Sequence, residues 1–354
     1  INNRSIFNDD KQVMQDKQQI KQENLTIDEK VDQIVASMSQ TEKLGQMVMI
    51  GIQGTKVDDD SLYMLNQYHM GGVILFDRNM ESLEQVKQLT SDLQAQSNEK
   101  VPLFIGIDEE GGDVVRMAEK LTPAPSQKEI GATGDIEQAK TWAIKTAKSL
   151  KDMGINVNFA PVADVGSNDK RSYSTDANTV IDFVRAATKG YQQENIIYSL
   201  KHFPGIGKGK VDSHIDSSSI DVAKEVLMTE DILPFKTIID ESDPNDYFIL
   251  VSHLKYLALD EEYPASLSSK IMTDLLRNKL GYKGIIITDD MEMGAVANHN
   301  DFRSIGVNAV KAGADIVLVC HEYKHQQEVY LGLLDAVNSG EISQERIDES
   351  VKRI

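Results

Sequence analysis

Cysteine is almost absent from this chain, and the single one, Cys320, excludes an internal disulfide framework and any paired-cysteine metal site. It ends the run Asp315-Ile316-Val317-Leu318-Val319-Cys320, where a buried, inert thiol is expected. Long apolar runs are also missing, and no stretch approaches the length of a membrane-spanning helix. Positive charge is scarce: 37 Lys and Arg stand against 56 Asp and Glu, a formal net charge of −19. Nucleic acids and anionic membrane surfaces both require a basic face, so neither is an expected partner. Nucleotide phosphates lack their cradle, since no GxGxxG follows the first apolar run and no GxxxxGK[ST] occurs. The chain starts at Ile1 with no signal-peptide pattern, and is therefore expected to come from a longer product.

What remains is an ordinary globular composition, 40% hydrophobic over 354 residues, enough to bury a large core without staples. Residues 1–26 stand apart, rich in Asn, Gln, Asp and Lys with little apolar periodicity. They read as a polar extension, a solvated tether or an appended helix. Such a tether fits an exported or lipid-anchored protein, so an extracellular or cell-envelope location is expected, with a cytoplasmic one as the alternative. Residues 27–354 read as one catalytic domain, and a monomer is favoured. The final stretch, Ser343–Ile354, reads as a helix that stops mid-pattern, leaving room for a further helix or domain.

Short apolar runs bounded by turns form a regular series of eight expected strands. They are Met47–Ile52, Gly72–Phe76, Leu103–Asp108, Asn156–Ala160, Ile196–His202, Tyr247–His253, Ile285–Asp289 and Ile316–Cys320. Several lack alternation, as parallel strands buried on both faces do. Amphipathic segments lie between them: Ser82–Gln96, Asp135–Met153, Asp176–Gln193, Ser268–Leu280 and Ala297–Ala312. Ser39 and Glu42 have capping-box spacing, and Gly154 and Gly281 stand where helices should stop. Eight β-α alternations predict a (β/α)8 TIM-type barrel, with a doubly wound open sheet as the alternative.

Polar residues collect at the carboxyl ends of these strands. The third is followed by Asp108-Glu109-Glu110-Gly111-Gly112 and Arg116, and the fourth by Asp164 and Arg171. The fifth delivers Lys201-His202-Phe203-Pro204-Gly205 and then Asp212-Ser213-His214. The sixth ends in Ser252-His253 and the seventh in Thr288-Asp289-Asp290. Strands disfavour Asp, so carboxylates closing apolar runs are placed against propensity, which tends to mark function. Each has a bland explanation alone: Asp290 as a helix cap, His253 as a satisfied core imidazole, Gly111-Gly112 as a tight turn. Together, without a ligand, they would carry a large desolvation cost.

Metal-dependent hydrolysis lacks an HxH pattern after the first strand and the imidazoles are scattered, and serine hydrolysis lacks a GxSxG elbow. Glycoside hydrolysis needs a carboxylate under the anomeric carbon and a proton donor beside the leaving oxygen. Asp289, at a strand end, suits the first task. His214, with Asp212 two residues away to orient it, is a candidate for the second.

The chain resembles glycoside hydrolase family 3, and within it the β-N-acetylglucosaminidase branch. The resemblance rests on Gly71-Gly72-Val73-Ile74-Leu75-Phe76, on Asp108-x-Glu110-Gly111-Gly112-x-Val114-x-Arg116 and on Asn158-Phe159-Ala160-Pro161-Val162-x-Asp164. It continues through Lys201–Gly205, Asp212-Ser213-His214, Ser266-Leu267-Ser268 and Thr288-Asp289-Asp290-Met291. It implies a retaining, two-step mechanism with Asp289 as nucleophile and the His214–Asp212 pair as acid and base. Asp108, Arg116, Arg171, Lys201 and His202 match positions that hold the sugar. A terminal β-linked GlcNAc, commonly from peptidoglycan fragments, is the implied carbohydrate substrate, with no metal or organic cofactor. A β-glucosidase of the same family is the alternative, as is a sugar- or wall-binding barrel with weakened catalysis. That last reading draws on one departure: Ile206 stands where relatives carry an imidazole, and Lys208 and Lys210 add charge to the loop. The stretch Ile215–Ser219 also lacks the usual Leu-Pro ending.

Overall fold

Each of the eight apolar runs forms a parallel strand, and their order around the sheet follows the chain. The strands are β1 (Val48–Gly51), β2 (Gly72–Leu75), β3 (Phe104–Ile107), β4 (Val157–Asn158), β5 (Ile197–Phe203), β6 (Tyr247–Val251), β7 (Ile285–Thr288) and β8 (Val317–Val319). Neighbours pair in the order β8-β1-β2-β3-β4-β5-β6-β7. The ring closes where Ile287 and Ile316 form a parallel bridge, with the Ile316 amide donating to the Ile286 carbonyl at 3.1 Å. The computed structural model describes residues 11–19, 24–98, 100–118, 121–166, 170–209 and 219–354. The barrel is the expected fold, and the open sheet is not formed.

The chain divides into two compact units, residues 1–39 and 40–354. In the first, residues 11–19 are helical and a second helix spans Ile27–Ser37. The second helix starts with a capping box. The Thr26 hydroxyl accepts from the Glu29 amide at 3.2 Å, and the Glu29 carboxylate accepts from the Thr26 amide at 2.8 Å. The larger unit holds the barrel and its outer helices. No described helix is long and apolar enough to cross a membrane.

Helices form where the amphipathic segments predict them: Leu83–Gln94, Ile136–Asp152 and Ala177–Gln193 begin after the side-chain caps Ser82, Asp135 and Asp176. Gly154 and Gly281 take left-handed φ values of +77° and +73° at helix ends. Two segments differ from expectation. Lys270–Lys279 winds as a π-helix. The segment expected over Ala297–Ala312 is interrupted, so that a short helix ends at Ala297 and another spans Phe302–Ala312. Polar side chains there compete for the backbone. Asn300 Nδ2 donates to the Val296 carbonyl, and Asp301 caps the second helix by accepting from the Ser304 amide at 2.9 Å.

Side chains at alternate strand positions fill the barrel: Met49, Ile74, Val157, Phe159, Phe248, Leu250, Ile285, Ile287 and Leu318 form one buried cluster. Phe159 dictates a glycine across from it, because a Cβ on Gly106 would lie 2.7 Å from the Phe159 ring. The opposite end of the barrel from the polar strand ends is locked by Asp315, fully buried just before β8. It accepts from Arg277 Nη2 and Arg353 Nη1, both at 2.8 Å, from Ser350 Oγ at 2.7 Å and from the Ile286 amide at 2.9 Å. Two helices and β7 are thus tied to one carboxylate. Asp315→Ala is expected to cost about 3–5 kcal/mol, because it strands buried cations. A fall in urea midpoint with unchanged slope checks it, and a change below ~1 kcal/mol would contradict the hub.

Candidate active site

At the carboxyl end of β3 the chain turns sharply, and Asp108 and Glu110 enter the barrel mouth. The turn needs its glycines. Gly111 has φ +104°, and a Cβ there would stand 2.4 Å from the Pro125 carbonyl oxygen. From β5, Lys201 Nζ reaches Glu110 Oε1 at 2.7 Å and Asp108 Oδ1 at 2.9 Å. Arg171 grips Glu110 with both arms, Nε to Oε2 at 2.9 Å and Nη2 to Oε1 at 2.5 Å. Arg116 lies further out, with Nη2 3.8 Å from Asp108 and its guanidinium over the Phe76 ring.

The electrostatics balance. Burial alone would drive the Lys201 ammonium and the Glu110 carboxyl towards neutrality, since the low-dielectric interior disfavours any charge. For Lys201, Asp108 and Glu110 outweigh burial and hold the ammonium above its ordinary range. For Glu110, burial pushes upward, but Lys201 and Arg171 pull the carboxyl down to about 2. The cluster therefore presents fixed charges whose remaining donor and acceptor capacity faces the mouth.

His202 follows Lys201 directly, and the register of β5 against β6 slips between Lys201 and Phe203. That irregularity lets two consecutive side chains serve the same end of the barrel. His202 Nδ1 lies 2.8 Å from Asp164 Oδ2, while Asp164 Oδ1 accepts the amides of His202 and Ile206 at 3.1 and 3.0 Å. A carboxylate can only accept, so the proton sits on Nδ1 and leaves Nε2 to face Arg171 Nη2 at 3.4 Å. Asp164 thus sets the tautomer.

Asp289 stands one residue beyond β7, its amide bonded to the Val251 carbonyl at 3.0 Å and its Oδ1 accepting from the Asp290 amide at 2.9 Å. Burial pushes its carboxyl up. His253, His202, the Asp290 amide and Lys201 together pull it below its ordinary value, so it is ionised at neutral pH. His253 is buried with both ring nitrogens engaged, Nδ1 by Ser266 Oγ at 2.6 Å and Nε2 by the Asp290 carbonyl at 2.7 Å. The satisfied-imidazole reading of His253 fits this geometry, yet its charge environment also bears on Asp289.

Asp290 is not a helix cap. Its Oδ1 accepts the amides of Glu292 and Cys320, both at 3.1 Å, joining the turn after β7 to the end of β8. Burial, and then Glu292, push its carboxyl up to about 7. Asp290, Glu292 and His321 bring possible ligand atoms within 4.8 Å of one another. Glu292, Asp290 Oδ1 and one His321 nitrogen already have partners. Glu292 accepts from the His321 and Glu322 amides and from His325 Nδ1, and Arg78 Nη1 lies 2.9 Å from His321 Nδ1. A guanidinium only donates, which fixes the His321 proton on the nitrogen facing Asp290. Cys320 is buried, and burial drives its thiol well up, in keeping with an inert sulfur.

Of the residues singled out in the sequence, Asp108, Arg116, Arg171, Lys201 and His202 are gathered at one mouth with Asp289. Asp212 and His214 lie outside the described residues. Sequence reasoning passed over Glu110 and Asp164 as site residues, although both stand in the quoted motifs. Charge counting would have found Glu110: Lys201, Arg171 and Arg116 could not be buried against Asp108 alone.

Glu109 faces a different environment from its neighbours. Burial pushes its carboxyl up to about 7, against the Arg116 amide that donates to it at 2.7 Å. The unfolded chain ionises near the ordinary glutamate value, so the fold loses stability as pH rises from there through about 7. Glu109→Gln is expected to raise the melting temperature by a few degrees at pH ~8 and to leave it nearly unchanged at pH ~5. An equal shift at both pH values would contradict a buried neutral carboxyl.

In barrel enzymes, chemistry sits at the carboxyl-terminal face of the strands, where these charges are gathered. The chain belongs to glycosyl hydrolase family 3, whose N terminal domain matches residues 39–354. Beta-hexosaminidase A of Pseudoalteromonas piscicida is 35% identical over 322 residues, covering 82% of this chain and 53% of that protein. A beta-hexosaminidase of Nitrosomonas eutropha is 30% identical, covering 86% of this chain and 90% of that protein. Among solved structures, the family 3 beta-N-acetylglucosaminidase from Paenibacillus sp. str. FPU-7 superposes with a TM-score of 0.86 at 37% identity. That match covers 90% of this chain and 61% of the Paenibacillus chain. The chain thus spans about half to three-fifths of some relatives' length and nine-tenths of another's.

Proposed function

We propose that this protein is a retaining exo-β-N-acetylglucosaminidase that removes terminal β-linked GlcNAc. The observation that carries the reading is Asp289: a half-buried carboxylate held ionised at the end of β7, beside Lys201, His202 and His253. A carboxylate kept as an anion at a strand end is suited to nucleophilic attack on an anomeric carbon. Relatives named as beta-hexosaminidases and beta-N-acetylglucosaminidases support the choice of sugar.

In the first step an Asp289 oxygen forms a bond to C1 as the glycosidic C–O bond breaks. The bonding pair leaves on the aglycone oxygen, which takes a proton from His214. In the second step His214 removes a proton from water, whose oxygen bonds to C1 and displaces Asp289, giving a β-hemiacetal. Asp212 orients the imidazole and stabilises its charged form. Asp108, Arg116, Arg171, Lys201 and His202 hold the sugar hydroxyls, with charge-assisted bonds at the positions Glu110 and Asp164 maintain. GlcNAc-terminated peptidoglycan fragments at the cell envelope are the proposed natural substrate.

Hydrolysis of para-nitrophenyl β-GlcNAc, compared with the corresponding β-glucoside, tests the sugar. Preference for GlcNAc by at least ~10²-fold is expected, since a site built around one substituent rejects the analogue lacking it. Equal rates would favour the glucosidase reading. Proton NMR of the first product should show the β-anomer, and an α-anomer would exclude a double displacement.

A further inference from the structure

His253 lies just beyond β6, and the motif Ser266-Leu267-Ser268 runs beside it. Backbone bonds set the approach: the Ser266 amide donates to the Ser252 carbonyl at 3.0 Å, and the Ala265 amide to the Leu254 carbonyl at 2.9 Å. Ser268 anchors the far side, its hydroxyl donating to Asp260 Oδ2 at 2.6 Å and accepting the Ile271 amide at 3.1 Å. Ser266 Oγ is thereby held 2.6 Å from His253 Nδ1. Ser252, His253, Ser266 and Ser268 are all buried.

On its other side the imidazole meets the turn that carries Asp289. Nε2 lies 2.7 Å from the Asp290 carbonyl oxygen, which also accepts the Met293 amide at 3.1 Å. A carbonyl only accepts, so Nε2 carries a proton, leaving Nδ1 to the Ser266 hydroxyl. The Asp290 side chain is tied separately, its Oδ1 accepting the Glu292 and Cys320 amides. Asp290 is thus clamped at its carbonyl and at its carboxylate. Its amide, so aimed, donates to Asp289 Oδ1 at 2.9 Å. A carboxylate pinned at one oxygen has little freedom to rotate away from an anomeric carbon.

We infer that His253 is a positioning residue for the nucleophile: Ser266 fixes its ring, and its Nε2–H fixes the turn that aims the Asp290 amide at Asp289. The inference rests on the reading of Asp289 as nucleophile. A buried imidazole between a hydroxyl and a carbonyl is satisfied on both sides, and that makes it a rigid support. The charges around Asp289 are Lys201 and His202 from β5, His253 from beyond β6, and Asp290 on its own turn. Burial pushes the Asp289 carboxyl up, and His253 is the largest of the influences that pull it down. Loss of the imidazole should therefore misplace the carboxylate and make it harder to ionise.

The test reads the acid limb of kcat/KM for para-nitrophenyl β-GlcNAc, which follows ionisation of the attacking carboxylate in the free enzyme. His253→Leu should move that limb up by ~1 pH unit and lower kcat by ~10²-fold. The inhibition constant of GlcNAc should stay within ~3-fold of wild type, because the groups that hold the sugar are untouched. His253→Gln, which places an amide N–H near the Nε2 position, should recover at least ~10-fold of the lost turnover. A folded His253→Leu protein with an unmoved limb, or with kcat within ~2-fold of wild type, would overturn the inference. So would a His253→Gln protein no better than His253→Leu. If Asp289→Asn keeps wild-type turnover, the nucleophile assignment fails instead. Should His253→Leu not fold, Ser266→Ala decides the matter, since it leaves the ring and removes its hydroxyl partner. Its limb must move upward too, and an unmoved limb in that variant refutes positioning.

Discussion

Asp289→Asn is expected to lower turnover of para-nitrophenyl β-GlcNAc by at least ~10⁴-fold, with the fold intact. The substitution is nearly isosteric, and the Asn carbonyl can still accept from the Asp290 amide that now bonds Oδ1 at 2.9 Å. What disappears is the anion. Burial opposes that anion, but His253, His202, the Asp290 amide and Lys201 together keep it ionised below the ordinary aspartate value. An amide is a poor nucleophile towards C1, so the glycosyl-enzyme cannot form. Thermal melts alongside the assay separate chemistry from folding. Wild-type turnover in a well-folded Asp289→Asn protein would remove Asp289 from the mechanism.

Glu110→Gln carries the second large effect, and here stability and activity should fall together. The carboxylate serves Lys201 at 2.7 Å and both arms of Arg171. Removing its charge leaves Lys201 with Asp108 as the carboxylate at 2.9 Å and deprives Arg171 of the anion both its arms grip, in a region where Lys201 is almost wholly buried. Breaking a buried pair in this way costs about 3–5 kcal/mol. Loss of the fixed cation geometry should also lower kcat/KM by ~10²-fold, since displacement of binding groups by about 1 Å costs that much. The acid limb adds a separate signature. Glu110 is held down at about 2, so its contribution is present above the ordinary glutamate value and is lost as pH falls towards 2. Glu110→Gln should flatten that part of the stability profile. A variant with unchanged urea midpoint and unchanged kcat/KM would show that Lys201 and Arg171 are held by other means.

Much of this was legible before any coordinates. Parallel strands buried on both faces are nearly continuous apolar runs, so all eight were visible, and the turns between them were marked by glycine and capping residues. The helix limits were less so. Asn300 and Asp301 bend the chain away from a helix through local hydrogen bonds, and an apolar pattern does not register them. At the site, Asp108, Lys201, His202 and Asp289 stood out because polar residues at the ends of apolar strands break propensity. Glu110 and Asp164 stood out less, since their work is to hold other side chains. The importance of such residues lies in a partner far away in sequence: Glu110 and Lys201 are 91 positions apart, Asp164 and His202 38.

Alone, the sequence determined the alternation of strand and helix, the barrel it implies, and the kinds of charged side chain at the strand ends. Those properties depend on local periodicity and on residue type. Only tertiary structure decided which charges are buried together, which carboxylate stays ionised, and that His253 reaches the turn that carries Asp289. Desolvation and pairing are set by distances in space, between residues whose separation along the chain carries no information about them.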